Sequence, residues 1–397
     1  MKRQEVEVLE RSQNCLKKID RMWKTLHHEE ADRVPITDFF WSSFLARWRE
    51  ELSLPSDADP YKYYDLDWMV TIPNIDPHIK TFEVLKENEE EILVRTGFEA
   101  VIQKKFDKPM PAYLIFETDT IEKMAAFTFD DPWDDRRYFK GGDNQIGGVG
   151  DTFARDLPPW KETIESLYPD IAVYGSVCEG YETLWRIIGS ENALLWIAMY
   201  PDEVGQFVER INEFSLELAK AQVKAADGLL AGMVIFGDVA YRKDVFFSPD
   251  YWRKYFKPGV KAIVDFCHEN HLPVIYHGCG NVNRIFEDYI DTGIDAYNPL
   301  EVKAGMDVVE LRRKYGHRIG FCGNIDVITW ANGTDEQIRA EVMRKLNAAK
   351  GGGYIFASDH SVPSNISGER YDMVVRMVRE YGKYPLHLGE FDLPDIQ

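Results

Sequence analysis

The sequence predicts an α/β protein, a (β/α)8 TIM barrel with an N-terminal helix and an inserted segment. Three observations predict it. Short β-rich apolar runs alternate with longer amphipathic stretches. From residue 232 onward the rhythm is regular, at about 40 residues per unit, the size of one βα unit in a barrel of this class. The runs number eight, and each is continuously apolar, as a parallel strand covered on both faces should be. A doubly wound open sheet is the alternative arrangement of the same units.

Taken in order, the expected strands are 34–40, 66–72, 171–177, 232–238, 273–279, 295–300, 318–323 and 354–359. Helical patterns cover 202–226, 249–270, 281–292 and 334–350. The stretch "SPDYWRKYF" supplies a serine N-cap and a proline at the first helical position. Residues 77–165 break the rhythm and read as an insertion near the barrel mouth within one domain spanning 1–397. Inside it "EEILVRTGFEAVIQKKFD" (90–107) alternates around a glycine and predicts a hairpin. "KGGDNQIGGVG" (140–150) lacks the Gly-Lys-Ser/Thr ending of a phosphate loop and reads as a flexible loop or lid.

Composition narrows the function. A formal net charge of -20 repels nucleic acid and anionic membrane. No apolar run approaches the ~20 residues of a membrane span, and the charged N-terminus lacks a signal-peptide core, so a cytoplasmic location is expected. Five cysteines, an odd count without framework spacing, suit free or metal-bound thiols better than disulfides.

In a barrel the chemistry collects at the carboxyl ends of the strands. Cys178 and Glu179 follow the third expected strand, and Asp238, Tyr241, Arg242 and Lys243 the fourth. His277 and Cys279 end the fifth, in "PVIYHGCGNV"; Glu301 follows the sixth. Cys322, Asn324 and Asp326 belong to the seventh, Asp359 and His360 to the eighth. His277 and Cys279 are two apart, so in extended backbone they share a side and can reach one ion. Imidazole and thiolate are the usual donors to zinc, and a third ligand could come from His360, Cys322 or Asp359. Asp238, Glu179 and Asp359 are the candidate catalytic carboxylates; Tyr241, Arg242, Asn324 and Tyr276 are candidate substrate contacts. Trp41 and Trp68 could help Tyr276 line a cavity for a flat or apolar ligand. Cys267-His268 and Cys15 lie on helices away from the mouth and read as core.

The motifs "GDVAYRKDVFFSPDYWRKYFKP", "PVIYHGCGNV", "DAYNPLEVKAGMDVVELRRKYG", "GFCGNIDV" and "GGGYIFASDHSVP" resemble the uroporphyrinogen decarboxylase superfamily, which includes the corrinoid-dependent methyltransferases. The resemblance covers roughly 165–385 and implies a TIM barrel with its site at the mouth. True decarboxylases of this group carry an Arg-Gln-Ala-Gly-Arg motif that grips substrate carboxylates; the corresponding "RVPITDFFWSSFLARWRE" lacks it. The methyltransferase branch binds zinc through His-x-Cys and a distant Cys. His277 and Cys279 match the first two positions, and His360 stands where the third is expected, ahead of Cys322 as the replacement. The resemblance thus implies a zinc-dependent methyltransferase that moves a methyl group between a small substrate, such as a methoxylated compound, and a cobalamin-type corrinoid carried by a partner protein. The rivals are a decarboxylase, with Arg242 and Lys243 holding a carboxylate and Asp238 or His360 moving the proton, and a non-catalytic ligand-binding barrel.

Overall fold

The computed structural model describes residues 9–79, 82–108, 110–146 and 153–396. The strands are β1 (Trp68–Val70), β2 (Glu83–Glu87), β3 (Glu91–Arg95), β4 (Ala100–Lys105), β5 (Ala112–Phe116), β6 (Asp143–Ile146) and β7 (Phe153–Leu157). There follow β8 (Ala172–Cys178), β9 (Gly232–Phe236), β10 (Val274–Gly278), β11 (Ala296–Pro299), β12 (Gly320–Cys322) and β13 (Tyr354–Ile355). Seven of them form one parallel sheet in the order β1-β8-β9-β10-β11-β12-β13. The architecture is α/β: a curled parallel sheet with helices outside it.

Strand parity sorts the core into two layers. Val234, Ile275, Ala296, Cys322 and Ile355 point inside the curl and pack with Trp68 and Tyr174. Met233, Ile235, Val274 and Tyr276 point outward into the layer shared with the helices. Seven of the eight expected strands are therefore present, each shorter than its apolar run except β8, which keeps seven residues and is shifted by one. The long helix Pro201–Ala226 matches its pattern. The 249–270 run is divided into Pro249–Tyr251, a π-turn at Trp252–Phe256 and Lys257–Glu269. Pro258 has no N–H to give the regular ladder, and the turn ahead of it widens.

The eighth expected strand, 34–40, is held differently. Beside β13 it makes isolated parallel bridges, Ile36 with Phe356 and Phe40 with Val362. On the β1 side the main chain contributes one bond, Asp67 N–H to the Ile36 carbonyl at 2.8 Å. Side chains supply the rest. The Asp67 carboxylate accepts the Ile36 N–H at 2.7 Å, and Thr37 Oγ1 donates to the Trp68 carbonyl at 2.9 Å. Asp67 is fully buried and also receives Arg21 and, at 2.8 Å, Arg33.

Between β1 and β8 the chain builds a four-stranded antiparallel sheet, β2-β3-β4-β5, and the pair β6-β7. The expected hairpin is its β3-β4 unit. The glycine-rich 140–150 stretch is not all loop: Asp143–Ile146 pairs with Phe153–Leu157, while 147–150 lie outside the described residues. Arg137, 2% exposed, ties this region to the 74–76 segment by donating to the carbonyls of Asn74 (3.0 Å) and Asp76 (2.8 Å). No helix among the described residues is long and apolar enough to cross a membrane.

Removing the Asp67 carboxylate leaves the buried Arg33 guanidinium without its anion and Arg21 with Asp32 alone. We expect Asp67→Ala to lose about 3–5 kcal/mol of unfolding free energy in urea titrations. A loss under 1 kcal/mol would mean that 34–40 is held without the Asp67 carboxylate.

Candidate functional site

A cavity of about 200 Å³ opens at the carboxyl ends of β9 and β10. Phe39, Trp41, Trp185 and Phe236 give it aromatic walls, and Asp238, His277, Cys279 and His360 project into it. The insertion adds Met110, Pro111 and Tyr113. It reaches the cavity because its sheet rests on helix Gly180–Ile188, with the Tyr113 ring 5.1 Å from that of Trp185. A larger cavity of about 290 Å³ lies beside the N-terminal helix Gln13–Leu26. It has no histidine or cysteine in its lining, and its Lys18 is already paired with Asp65 at 2.5 Å. Size alone does not select the site.

Two groups of potential metal donors meet at one thiol. Asp238, His277 and Cys279 have ligand atoms within 4.8 Å of one another, and so do Cys279, Glu301 and His360. His277 follows Ile275 in parity and so faces inward; its Nε2 lies 3.9 Å from Cys279 Sγ. Its Nδ1 meets Asn298 Oδ1 at 2.5 Å, and the ring packs against Phe39 and Phe236 at centroid distances of 5.6 and 5.2 Å. The turn after β10 is shaped by Gly280, at φ +87°, where a Cβ would press on the Ala240 backbone at 2.7 Å. The Gly280 N–H donates to Glu301 at 2.9 Å, and the Cys279 N–H to Asp238 at 2.7 Å. His360 stacks nearly parallel to Trp41, whose indole N–H is fixed on the Ser361 carbonyl at 3.0 Å.

Burial controls the protonation states. It lowers both His277 and His360, keeping the imidazoles neutral, and Lys303 adds to the effect at His360. Burial and the nearby Glu182 carboxylate push Asp238 up to about 6. Burial, with Asp238 and Glu301 alongside, raises the Cys279 thiol well above its ordinary value. The thiol is thus surrounded by acids, with Lys303 paired to Glu301 at 3.1 Å as the nearby cation.

The remaining expected site residues lie apart from this group. Cys322 is wholly buried inside the curl, where its sulfur accepts from Asn298 Nδ2 at 3.3 Å. Asn324, also buried, accepts from the Val308 N–H (2.9 Å) and donates to the Met306 carbonyl (2.7 Å), bracing the loop after β11. Asp359 accepts the N–H groups of Val327 and Val302, both at 3.0 Å, as a loop anchor. Tyr276 has the opposite parity to His277, so it faces the helices, where its hydroxyl donates to the Gly237 carbonyl at 3.0 Å. Trp68 packs in the inner layer. Tyr241 and Arg242 are exposed, and Arg242 donates to the Lys303 carbonyl at 3.0 Å. Glu179 caps helix Gly180–Ile188 through Tyr181 and Glu182 N–H groups at 2.9 and 3.3 Å, and its second oxygen has no partner. Cys178 is buried, Cys15 and Cys267 are core residues, and all five cysteines are free.

Sequence reasoning gave no role to Asn298 or to the Glu182–Arg186 pair, which closes at 2.6 Å in the cavity wall. Both left a trace. Asn298 is an inward polar position in an apolar strand, and Glu182 and Arg186 stand four apart on one helix.

Burial also pushes the Glu179 carboxyl up to about 8. Between the ordinary carboxylate range and pH 8 the unfolded chain releases this proton while the folded chain keeps it, so stability falls as pH rises. Glutamine has no proton to release. The stability of Glu179→Gln relative to wild type should therefore climb by up to about 1.4 kcal/mol per pH unit from pH 5 to 8, then level off. Chemical denaturation across that range measures it; a pH-independent difference would show that the acid titrates normally.

Comparison with known proteins places this geometry. The sequence profile described as "Uroporphyrinogen decarboxylase (URO-D)" matches residues 155–381, more than half of the chain. The methylcobamide:CoM methyltransferase MtaA of Methanosarcina barkeri is 27% identical over 179 residues, covering 45% of this chain and 50% of the relative. The chain thus spans about half the length of that relative. A uroporphyrinogen decarboxylase of Shewanella frigidimarina is 25% identical over 306 residues, covering 72% of this chain and 74% of the relative. Among solved structures, a methyltransferase from Methanosarcina mazei superposes with a TM-score of 0.59 at 16% identity, over 92% of this chain and 98% of that one. At that identity the likeness is one of fold.

Proposed function

The chain belongs to the uroporphyrinogen decarboxylase (URO-D) family, and from that premise we propose that it is a zinc-dependent methyltransferase exchanging a methyl group between a small substrate and a corrinoid carried by a partner protein. The observation that carries the reading is the pair of donor groups sharing Cys279 at the cavity floor. We read the whole chain, 1–397, as one domain, with 77–165 inserted and 34–40 as the eighth strand of a closed (β/α)8 barrel. The hydrogen bonds of 34–40 to both neighbouring segments support that closure.

The residues fit a zinc ion. Neutral imidazole, cysteine sulfur and carboxylate oxygen are its usual ligands. The 3.9 Å between Cys279 Sγ and His277 Nε2 is near the ~3.5 Å that bonds of ~2.3 and ~2.0 Å subtend at a tetrahedral angle. His277, Cys279 and His360 would hold the ion, with Asp238 and Glu301 as the oxygen donors beside them. Bound zinc would supply Lewis acidity, activating a thiol acceptor or polarising the heteroatom of a methyl donor such as a methoxylated compound. The chain's own residues do the rest. Asp238 orients the Cys279 backbone, Trp41 fixes the plane of His360, and the aromatic walls keep water from the reacting groups.

The longer matches to uroporphyrinogen decarboxylases favour a second reading, decarboxylation. The cavity speaks against a polycarboxylate substrate. Its basic side chain, Arg186, is engaged with Glu182, and a polyanion would also meet Asp238.

Protein purified under reducing conditions and reloaded with zinc should hold about one equivalent by elemental analysis. Cys279→Ser and His360→Ala should lose most of it, and Cys322→Ser should keep it. Wild type without zinc, or a Cys279→Ser variant with full zinc, would overturn the metal site. With methylcobalamin and a thiol acceptor, the loaded protein should speed demethylation, read from the cobalamin spectrum.

A further inference from the structure

We propose that Asn298 is a positioning residue that decides which ring nitrogen of His277 is offered to the site, and that the Cys322 backbone decides how Asn298 is turned. The inference rests on the reading of His277 as a metal ligand.

Asn298 sits on β11 directly opposite His277 in the strand register, and it is 2% exposed. Its carboxamide is used at both ends. Nδ2 donates to the Cys322 carbonyl at 3.2 Å and to the Cys322 sulfur at 3.3 Å; Oδ1 faces His277 Nδ1 at 2.5 Å. The carbonyl of Cys322 can only accept. A flipped amide would set oxygen against oxygen there, in a place water does not reach. The amide nitrogen must therefore face Cys322, and the amide oxygen must face the histidine.

That oxygen is an acceptor too, so His277 Nδ1 must carry the hydrogen. A neutral imidazole has one N–H. Its lone pair is then on Nε2, the nitrogen that lies 3.9 Å from Cys279 Sγ. The other tautomer would bring two acceptors together at Nδ1 and aim an N–H at the place of the ion. Rotation of the ring is no escape, because Phe39 and Phe236 pack against it. Orientation thus passes in two steps, from the β12 backbone to the amide and from the amide to the ring. Hydrogen bonds of this kind to the far nitrogen fix ligand orientation and raise ligand basicity. The chain needs no charged group for it, which suits a buried position.

The test reads the tautomer first and the metal second. Long-range 1H–15N spectra of metal-free, 15N-histidine protein at neutral pH, assigned with His277→Gln, should show His277 as the Nδ1–H form. In Asn298→Leu the spectrum should move to the Nε2–H form that free imidazole prefers. Zinc affinity, measured by competition with a chromogenic chelator, should fall about 10- to 100-fold. Asn298→Asp keeps an oxygen toward Nδ1 and, as the neutral acid, turns its O–H to the Cys322 carbonyl, so it should retain the tautomer and zinc binding within a few-fold of wild type. A wild-type Nε2–H signature overturns the proposal. So does a folded Asn298→Leu variant, checked by circular dichroism, with wild-type tautomer and affinity. Should that variant not fold, the wild-type and Asn298→Asp spectra decide. The outcomes also separate this inference from the zinc reading, because wild type that binds no zinc sinks that reading while the metal-free spectrum still reports the tautomer.

Discussion

Two buried aspartates hold the segment on which the mouth of the sheet depends. Asp67 fastens residue 36 to the β1 side, taking the Ile36 N–H together with Arg21 and Arg33. Asp38 fastens the same segment to the far edge, where it accepts the Ser358 N–H at 2.9 Å, the Ser358 hydroxyl and the Tyr371 hydroxyl at 3.0 Å. Burying a carboxylate is costly, and only paired or fully hydrogen-bonded ones are tolerated. That cost makes the arrangement specific: either carboxylate, displaced, would stand unpaired in the core. Burial pushes Asp38 up to about 7 despite those three donors, so its desolvation is only partly offset.

The site inherits its geometry from this segment. Phe39 and Trp41 lie just beyond Asp38, and they meet His277 and His360, the rings on either side of Cys279. The opposite wall comes from helix Gly180–Ile188, which the insertion covers. Three parts of the chain far apart in sequence therefore converge on a single thiol. Their electrostatics converge as well. Carboxylates on the loops after β9 and β11 face the thiol, while burial keeps both imidazoles neutral. A cluster that is rich in donors and poor in cations is a place where a divalent ion lowers the energy of every neighbour.

The family's two activities make opposite demands on such a cavity. A polycarboxylate substrate needs unpaired basic groups, and the one guanidinium among the described residues of this lining is held by Glu182 and lies over Trp185 at 5.5 Å. A small methylated substrate needs an apolar enclosure beside a metal. The aromatic walls, the modest volume and the shared cysteine fit the second demand, which is the reading proposed above.

Several features were legible in the sequence because they depend on local periodicity. The βα rhythm, seven of the strands, the hairpin in the insertion and the facing of His277 with Cys279 all follow from side-chain spacing along one element. What the sequence left open depends on where separate elements meet. Strand ends listed Cys322, Asn324 and Asp359 beside His360, but depth along the strand decides which of them reaches the cavity. Cys322 lies below the rim, and Asn324 and Asp359 spend their polar atoms on loop backbones. Tyr276 was separated from His277 by parity alone, since alternate residues of a buried parallel strand face opposite layers. Asn298 and the Glu182–Arg186 pair left a local trace in the sequence, but what they serve, like the contribution of Met110 and Tyr113 from the insertion, came only with the tertiary structure. A hydrogen-bond partner across two strands, or a wall built by a segment 160 or more residues away, leaves no periodic signal in the chain that it serves.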